Sequence, residues 1–153
     1  MKFTNSLIKG KLLKRYKRFF ADIKVNSKII TAHCPNTGSM QGLLDEGNEV
    51  LVTEHNDPKR KLKFTLEIIK AKKRYVGVNT HRANKIVNHG LENKLISEFK
   101  TIKNIKPEFK FSDDTRFDFL CDDNLIEVKN VTLFRENDIC LLYTSDAADE
   151  CHS

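Results

Sequence analysis

Apolar positions recur with one period before about residue 80 and with another after it. In the first stretch they return every second residue. Phe19, Ala21, Ile23 and Val25 alternate with Phe20, Asp22 and Lys24, as on a strand with one buried face. Residues 29–33 form a second run beyond the turn-like Asn26-Ser27-Lys28, and residues 50–52 a third between Glu46-Gly47-Asn48 and Asn56-Asp57-Pro58. Leu62, Phe64, Leu66 and Ile68 alternate as a fourth, and residues 75–78 make a fifth. Five short strands over about eighty residues predict a small five-stranded barrel of the OB type.

The second stretch has helical spacing and then strands again. Asn79-Thr80 can cap a helix over 81–89 that carries Ala83, Ile86 and Val87, with Gly90 as its stop. Leu91, Leu95, Ile96 and Phe99 share one helical face and predict a second helix. Residues 109–111, 117–120 and 125–131 read as three strands. The expected fold class is α+β: an OB-like barrel over 1–80, then a helix-and-sheet domain over 81–139, with no flexible linker, internal repeat or low-complexity segment between them.

Composition narrows the function classes. The 153 residues carry 27 Lys+Arg against 21 Asp+Glu, a net charge of +6, and 39% are hydrophobic. No apolar run approaches the roughly 18 residues of a membrane span, and the Lys- and Arg-studded N-terminus has no apolar core of a secretion signal. The four cysteines, at 34, 121, 140 and 151, show no metal-ligand spacing, so a reducing cytoplasm and no membrane are expected. The charge is uneven. Residues 1–30 hold nine Lys or Arg against Asp22 alone, whereas Asp113, Asp114, Asp118, Asp122, Asp123 and Glu127 crowd 113–127 around Arg116. A basic arm followed by a carboxylate cluster suits a polyanion and a cation bridging to it; two solvated faces account for the same runs.

Residues 140–150, Cys-Leu-Leu-Tyr-Thr-Ser-Asp-Ala-Ala-Asp-Glu, closely resemble a translated sequencing adapter. The segment 140–153 is therefore read as a non-native tail and excluded from fold reasoning.

The chemistry concentrates in Arg116-Phe117-Asp118-Phe119-Leu120 and Ile126-Glu127-Val128-Lys129. Glu127 and Lys129 lie two residues apart on a predicted strand and share a face. A short hairpin through 121–124 can bring Asp118 beside Glu127. Adjacent carboxylates repel unless a cation joins them, and their oxygens suit Mg²⁺ or Mn²⁺. The Lys129 ammonium would then orient a metal-bound water and stabilise charge at phosphorus. This is the D–x(n)–(D/E)xK arrangement of metal-dependent nucleases; an exposed Glu–Lys pair, worth about 0–1 kcal/mol, is the plainer reading. In the N-terminal arm Lys9, Lys11, Lys14, Arg15, Lys17 and Arg18 interleave with Tyr16, Phe19 and Phe20. The cations suit phosphates, while Phe19 and Phe20 are assigned to the core. Cys34 reads as a small buried hydrophobe beside His33. Asn36, Thr37, Gly38 and Ser39 offer donors to a phosphate, and an ordinary turn explains them equally well.

Five ordered segments resemble the sugar fermentation stimulation protein family, SfsA. They are Leu12-Leu13-Lys14-Arg15-Tyr16-Lys17-Arg18-Phe19; Ala32-His33-Cys34-Pro35-Asn36-Thr37-Gly38-Ser39-Met40; Gly77-Val78-Asn79-Thr80 with Ala83-Asn84; Arg116-Phe117-Asp118-Phe119-Leu120; and Glu127-Val128-Lys129-Asn130-Val131-Thr132-Leu133. The resemblance implies an N-terminal OB-like domain and a PD-(D/E)xK nuclease-like α/β domain, DNA as partner, and a link to regulation of sugar (maltose) utilisation. It places nuclease-type catalytic positions on Asp118, Glu127 and Lys129 and metal ligands on Asp118, Glu127 and Glu108. Nucleic-acid contacts are expected at Lys14, Arg15, Lys17, Arg18, Asn36, Thr37 and Arg116. The loop Ser112-Asp113-Asp114-Thr115 departs from the family pattern, and the tail stands where the family continues, so the second domain is expected to be incomplete. The alternatives are an active Mg²⁺-dependent nuclease, a non-catalytic single-strand binding module or regulator, and an interaction protein whose charges are merely solvated.

Overall fold

A computed structural model describes residues 3–132. The adapter-like tail and the end of the second predicted domain lie outside the described residues. The chain divides into two compact units, one running to Thr80 and joined again by the chain from Asn130, the other spanning His81–Lys129.

The first unit is a closed barrel. Its strands are β1 (Leu7–Tyr16), β2 (Phe20–Val25), β3 (Lys28–His33), β4 (Glu49–Glu54) and β5 (Phe64–Ala71). Neighbours pair antiparallel in the order β3-β2-β1-β4-β5, and a short parallel pairing of Ala32 with Phe64 and His33 with Thr65 joins β3 to β5. That last contact closes the ring and removes its open edges. Leu12, Ile23, Val50, Val52, Leu66 and Ile69 fill the interior.

Two expectations change here. The basic arm is not an arm but β1, the strand that pairs with both β2 and β4. Ile8, Gly10 and Leu12 turn inward while Lys9, Lys11 and Lys14 stay exposed, and the glycine among them leaves the buried face without a continuous apolar alternation. The fifth predicted strand is β6 (Arg74–Gly77), which pairs with β5 outside the ring. The barrel has five strands as expected, but β1 takes the place of β6 among them.

The predicted alternation in β5 also changes phase. Leu51 pairs with Ile68 but Val52 with Leu66, leaving Glu67 as an extra residue in a bulge. Beyond it Ile69 and Ala71 point inward, and Ile68 is only half-buried. Glu67 itself is 2% exposed. Its carboxyl oxygens accept hydrogen bonds from the Thr53 hydroxyl at 2.8 Å and the Asn79 amide at 2.9 Å, which offset the cost of burying a polar group.

The second unit holds α1 (Ala83–Glu92) and a three-stranded antiparallel sheet of β7 (Ile105–Lys110), β8 (Arg116–Cys121) and β9 (Asn124–Ile126). Leu91, Phe119 and Cys121 are its buried centre, with Val87, Ile96, Phe99 and Ile105 packed against them. Three local predictions fail here. Thr80 does not cap the helix; its hydroxyl donates to the Pro35 carbonyl at 2.6 Å, and a 3-10 turn leads into α1. Gly90 does not end the helix. A Cβ there would lie 3.2 Å from Ile96, so glycine admits close packing, and Lys94 (φ +55°) makes the left-handed exit instead. The second helix is only a 3-10 turn at Ser97–Phe99, with Leu95 68% exposed.

Candidate functional site

The carboxylates gather on the second unit's sheet. β7 and β8 pair Pro107 with Phe119 and Phe109 with Phe117, so Glu108 occupies the intervening position opposite Asp118. Glu108 has a left-handed backbone (φ +52°), uncommon for a residue with a side chain and unusual inside a strand. Its exposed carboxylate lies 3.8 Å from the Arg116 guanidinium, so Arg116 serves an ion pair within the sheet. Together with Asn84, Lys85 and His89 of α1, Glu108 and Asp118 line a depression of about 420 Å³.

Asp118 is oriented on both oxygens. One accepts from the Asn84 side-chain amide, the other from the Val128 backbone N–H at 2.7 Å. The predicted strand over 125–131 therefore stops early: β9 ends at Ile126, and the chain beyond it is tied to a side chain. Glu127 and Lys129 do not sit on a strand, yet they meet, Lys129 Nζ donating to Glu127 Oε1 at 2.6 Å. Their side chains are 45% and 42% exposed respectively, so the pair is open to solvent. Asn84 escapes sequence reasoning as a positioning group because 34 residues separate it from Asp118 and only the tertiary fold brings them together.

At the end of β8 the Asp122 carboxyl is held below its usual range by the backbone N–H groups of Asn104 and Lys103. Burial, reinforced by the charge of Asp122, pushes the Cys121 thiol up.

The predicted nucleic-acid contacts divide into two kinds. Arg15 and Asn36 are occupied by the fold. The Arg15 guanidinium donates to the carbonyls of Arg18 at 3.0 Å and Asn36 at 2.7 Å. Asn36 is 4% exposed; its Oδ1 accepts from the Gly38 N–H, and its amide donates to the Thr132 hydroxyl. Lys14, Lys17, Arg18 and Thr37 are exposed. Lys17 (φ +47°) and Arg18 (φ +61°) form the β1–β2 turn in left-handed conformations that usually go to Asn and Gly. The core assignment of Phe19 and Phe20 is overturned. Phe19 is 45% exposed and stacks on His33 at 6.5 Å, and Phe20 stacks on Tyr16 at 5.5 Å. Phe20 continues β2's outward alternation from Lys24 and Asp22, whereas Phe19 lies in the turn before β2 and is exposed there against His33, the partner of Phe20 on β3.

Architecturally this is an OB-barrel protein with an appended α+β unit that concentrates carboxylates. The model of the SfsA N-terminal OB domain matches residues 13–78, and that of the sugar fermentation stimulation protein RE domain matches 81–143. The chain belongs to the sugar fermentation stimulation protein family. It is 65% identical over 140 residues to the homologue of that name from Pelagibacter ubique, covering 89% of this chain and 60% of the relative. The homologue from Alteromonas mediterranea is 44% identical over 145 residues, covering 87% and 61%. The chain thus spans about three-fifths of the length of these curated relatives. Pyrococcus furiosus SfsA, solved in complex with Ca²⁺, shares the fold with a TM-score of 0.65 at 21% identity, over 79% of this chain and 51% of that one. Among the described residues no helix is long and apolar enough to cross a membrane.

Proposed function

We propose that this chain is a DNA-binding protein whose second unit carries a nuclease-like site for Mg²⁺ or Mn²⁺. The carrying observation is the placement of Asp118 opposite Glu108, with its carboxylate aimed by Asn84 and Val128. The Glu108 and Asp118 carboxylates line one depression, where a cation would offset their mutual repulsion. The donors are all hard carboxylate oxygens, which suit Mg²⁺, Mn²⁺ or Ca²⁺. Among the described residues no three His, Cys, Asp or Glu side chains already form a cluster able to hold a metal. The fit is therefore to an open site of one or two carboxylates completed by water and phosphate, the usual pattern for Mg²⁺. Asp118 would be the principal ligand and Glu108 the second, and Glu127, now held by Lys129, would join only on leaving that pair. A cation there would polarise a phosphoryl oxygen and a bound water. Lys129, now paired with Glu127, would stabilise negative charge developing on the phosphate. The family resemblance to PD-(D/E)xK proteins supports the same assignment, and the Pyrococcus relative's Ca²⁺ complex is consistent with hard-cation chemistry. DNA is the partner favoured by the family and by the barrel's basic outer face; the link to sugar utilisation rests on family membership alone.

The test is Mn²⁺ titration followed by electron paramagnetic resonance, with DNA affinity measured separately in EDTA. Asp118→Asn should weaken Mn²⁺ binding at least tenfold and leave metal-free DNA binding unchanged or stronger. Equal Mn²⁺ binding by variant and parent refutes the site. Mg²⁺-dependent cleavage of labelled DNA, lost in Lys129→Ala, separates a nuclease from a binding protein.

A further inference from the structure

The outer face of the β1–β2 hairpin is a continuous surface of two chemistries. On β2, Lys24, Asp22 and Phe20 alternate to one side, and their partners across the ladder on β1 are Lys11, Lys14 and Tyr16. The opposite side is the core, where Leu12 and Ile23 are fully buried. Lys11 and Lys24 stand directly opposite each other, and on its other side Lys11 pairs with Glu49 of β4, whose carboxylate also holds Lys9; the row carries three cations to one anion. The next row along is Lys14 with Asp22. That carboxylate is already engaged by the Thr31 hydroxyl at 2.8 Å, the Tyr16 hydroxyl at 3.2 Å and the Lys14 ammonium at 3.7 Å. The row after it is the Tyr16–Phe20 stack, with Lys14 Nζ 5.4 Å from the Tyr16 ring centre. Phe19, nearly half exposed, lies beyond. From the Lys24 row to the Phe20 row is four residues of strand, about 13 Å.

We infer that this face binds single-stranded nucleic acid, with bases stacked on Phe19 and on the Tyr16–Phe20 pair and phosphates over Lys11, Lys24 and Lys14. The inference rests on the proposal that the barrel binds nucleic acid and adds both the strand state and the surface. Duplex DNA hides its base faces, so exposed rings add nothing to its affinity. A single strand offers a ring face at every nucleotide and a charge between successive ones.

Because the chain contains no tryptophan, Phe19→Trp places a lone indole at the stacking position. Its fluorescence should be quenched by oligo(dT) and unaffected by a duplex of equal length at matched occupancy. Anisotropy with labelled oligo(dT) and duplex should show Phe19→Ala and Tyr16→Ala weakening single-strand binding by about five- to a hundredfold and leaving duplex binding unchanged. Lys11→Glu with Lys24→Glu should weaken single-strand binding and flatten its salt slope by about 0.7 for each phosphate no longer neutralised. Unchanged circular dichroism and melting temperature confirm that the variants are folded; should Tyr16→Ala disturb the hairpin, Phe19→Trp quenching decides alone. Weaker binding by the lysine variant, with neither quenching nor weakening in the aromatic variants, overturns base stacking while leaving barrel binding intact. No effect of any variant on either oligonucleotide overturns both the inference and the barrel reading.

Discussion

Gly10→Ala tests whether β1 belongs to the barrel wall. A Cβ at Gly10 would lie 2.6 Å from Ile23 Cγ2, 3.0 Å from the Lys24 carbonyl oxygen and 3.1 Å from Val25 Cγ2. Optimal carbon–carbon separation is about 3.5–4.0 Å, so the overlap with Ile23 is about 1 Å. Ile23 cannot retreat, because it is fully buried among the barrel's other inward side chains. The Lys24 carbonyl is part of the ladder and yields only if the strands separate. Overpacking of this kind costs about 1–3 kcal/mol, against which alanine recovers about 0.5–1 kcal/mol of backbone entropy. The net loss is then about 0–2.5 kcal/mol, centred on about 1 kcal/mol, or a melting temperature lower by about 4–8 °C at the centre for a unit of this size. Thermal unfolding by circular dichroism gives the total, and amide exchange at Leu12 and Ile23 localises it to the barrel. Ile23→Ala removes the clashing atom, so the double variant should be more stable than the sum of the singles predicts, by about 1 kcal/mol. Additive singles would refute the close approach and with it the placement of the lysine row on a barrel strand.

Two further expectations concern groups the fold engages in unusual ways. Thr53→Val removes the hydroxyl that donates to buried Glu67 and should cost about 1–3 kcal/mol in a urea titration, with Thr53→Ser retaining most of the stability. Equal midpoints for Val and Ser would show that the hydrogen bond contributes nothing. Asp122 has its folded pKa lowered, so its contribution is fully present above its unfolded pKa of about 4 and disappears as pH falls through the folded value. The stability gap between parent and Asp122→Asn should therefore be constant above about pH 5 and close toward pH 2; a gap that persists to pH 2 argues against the assignment.

What local pattern alone could determine was the change of period near residue 80, the strands β2, β3 and β4, and the meeting of Glu127 with Lys129. Strand alternation and a change of period depend on near neighbours, which one sequence records directly. Other features turned on contacts that local pattern does not encode. β1 is hidden because Gly10 interrupts its inward apolar row and lysines fill its outward one, and only pairing with both β2 and β4 identifies it as barrel wall. The Glu67 bulge reverses the facing of every residue after it, since one extra residue flips a period of two. Phe19 and Phe20 resemble core on hydrophobicity alone, whereas register places Phe20 on β2's solvent side and the turn exposes Phe19. Asp118 acquires its orientation from Asn84 on a helix and from a backbone N–H ten residues on. The tertiary structure decided these points because each depends on which strand lies alongside which, and one sequence holds no direct record of long-range pairing.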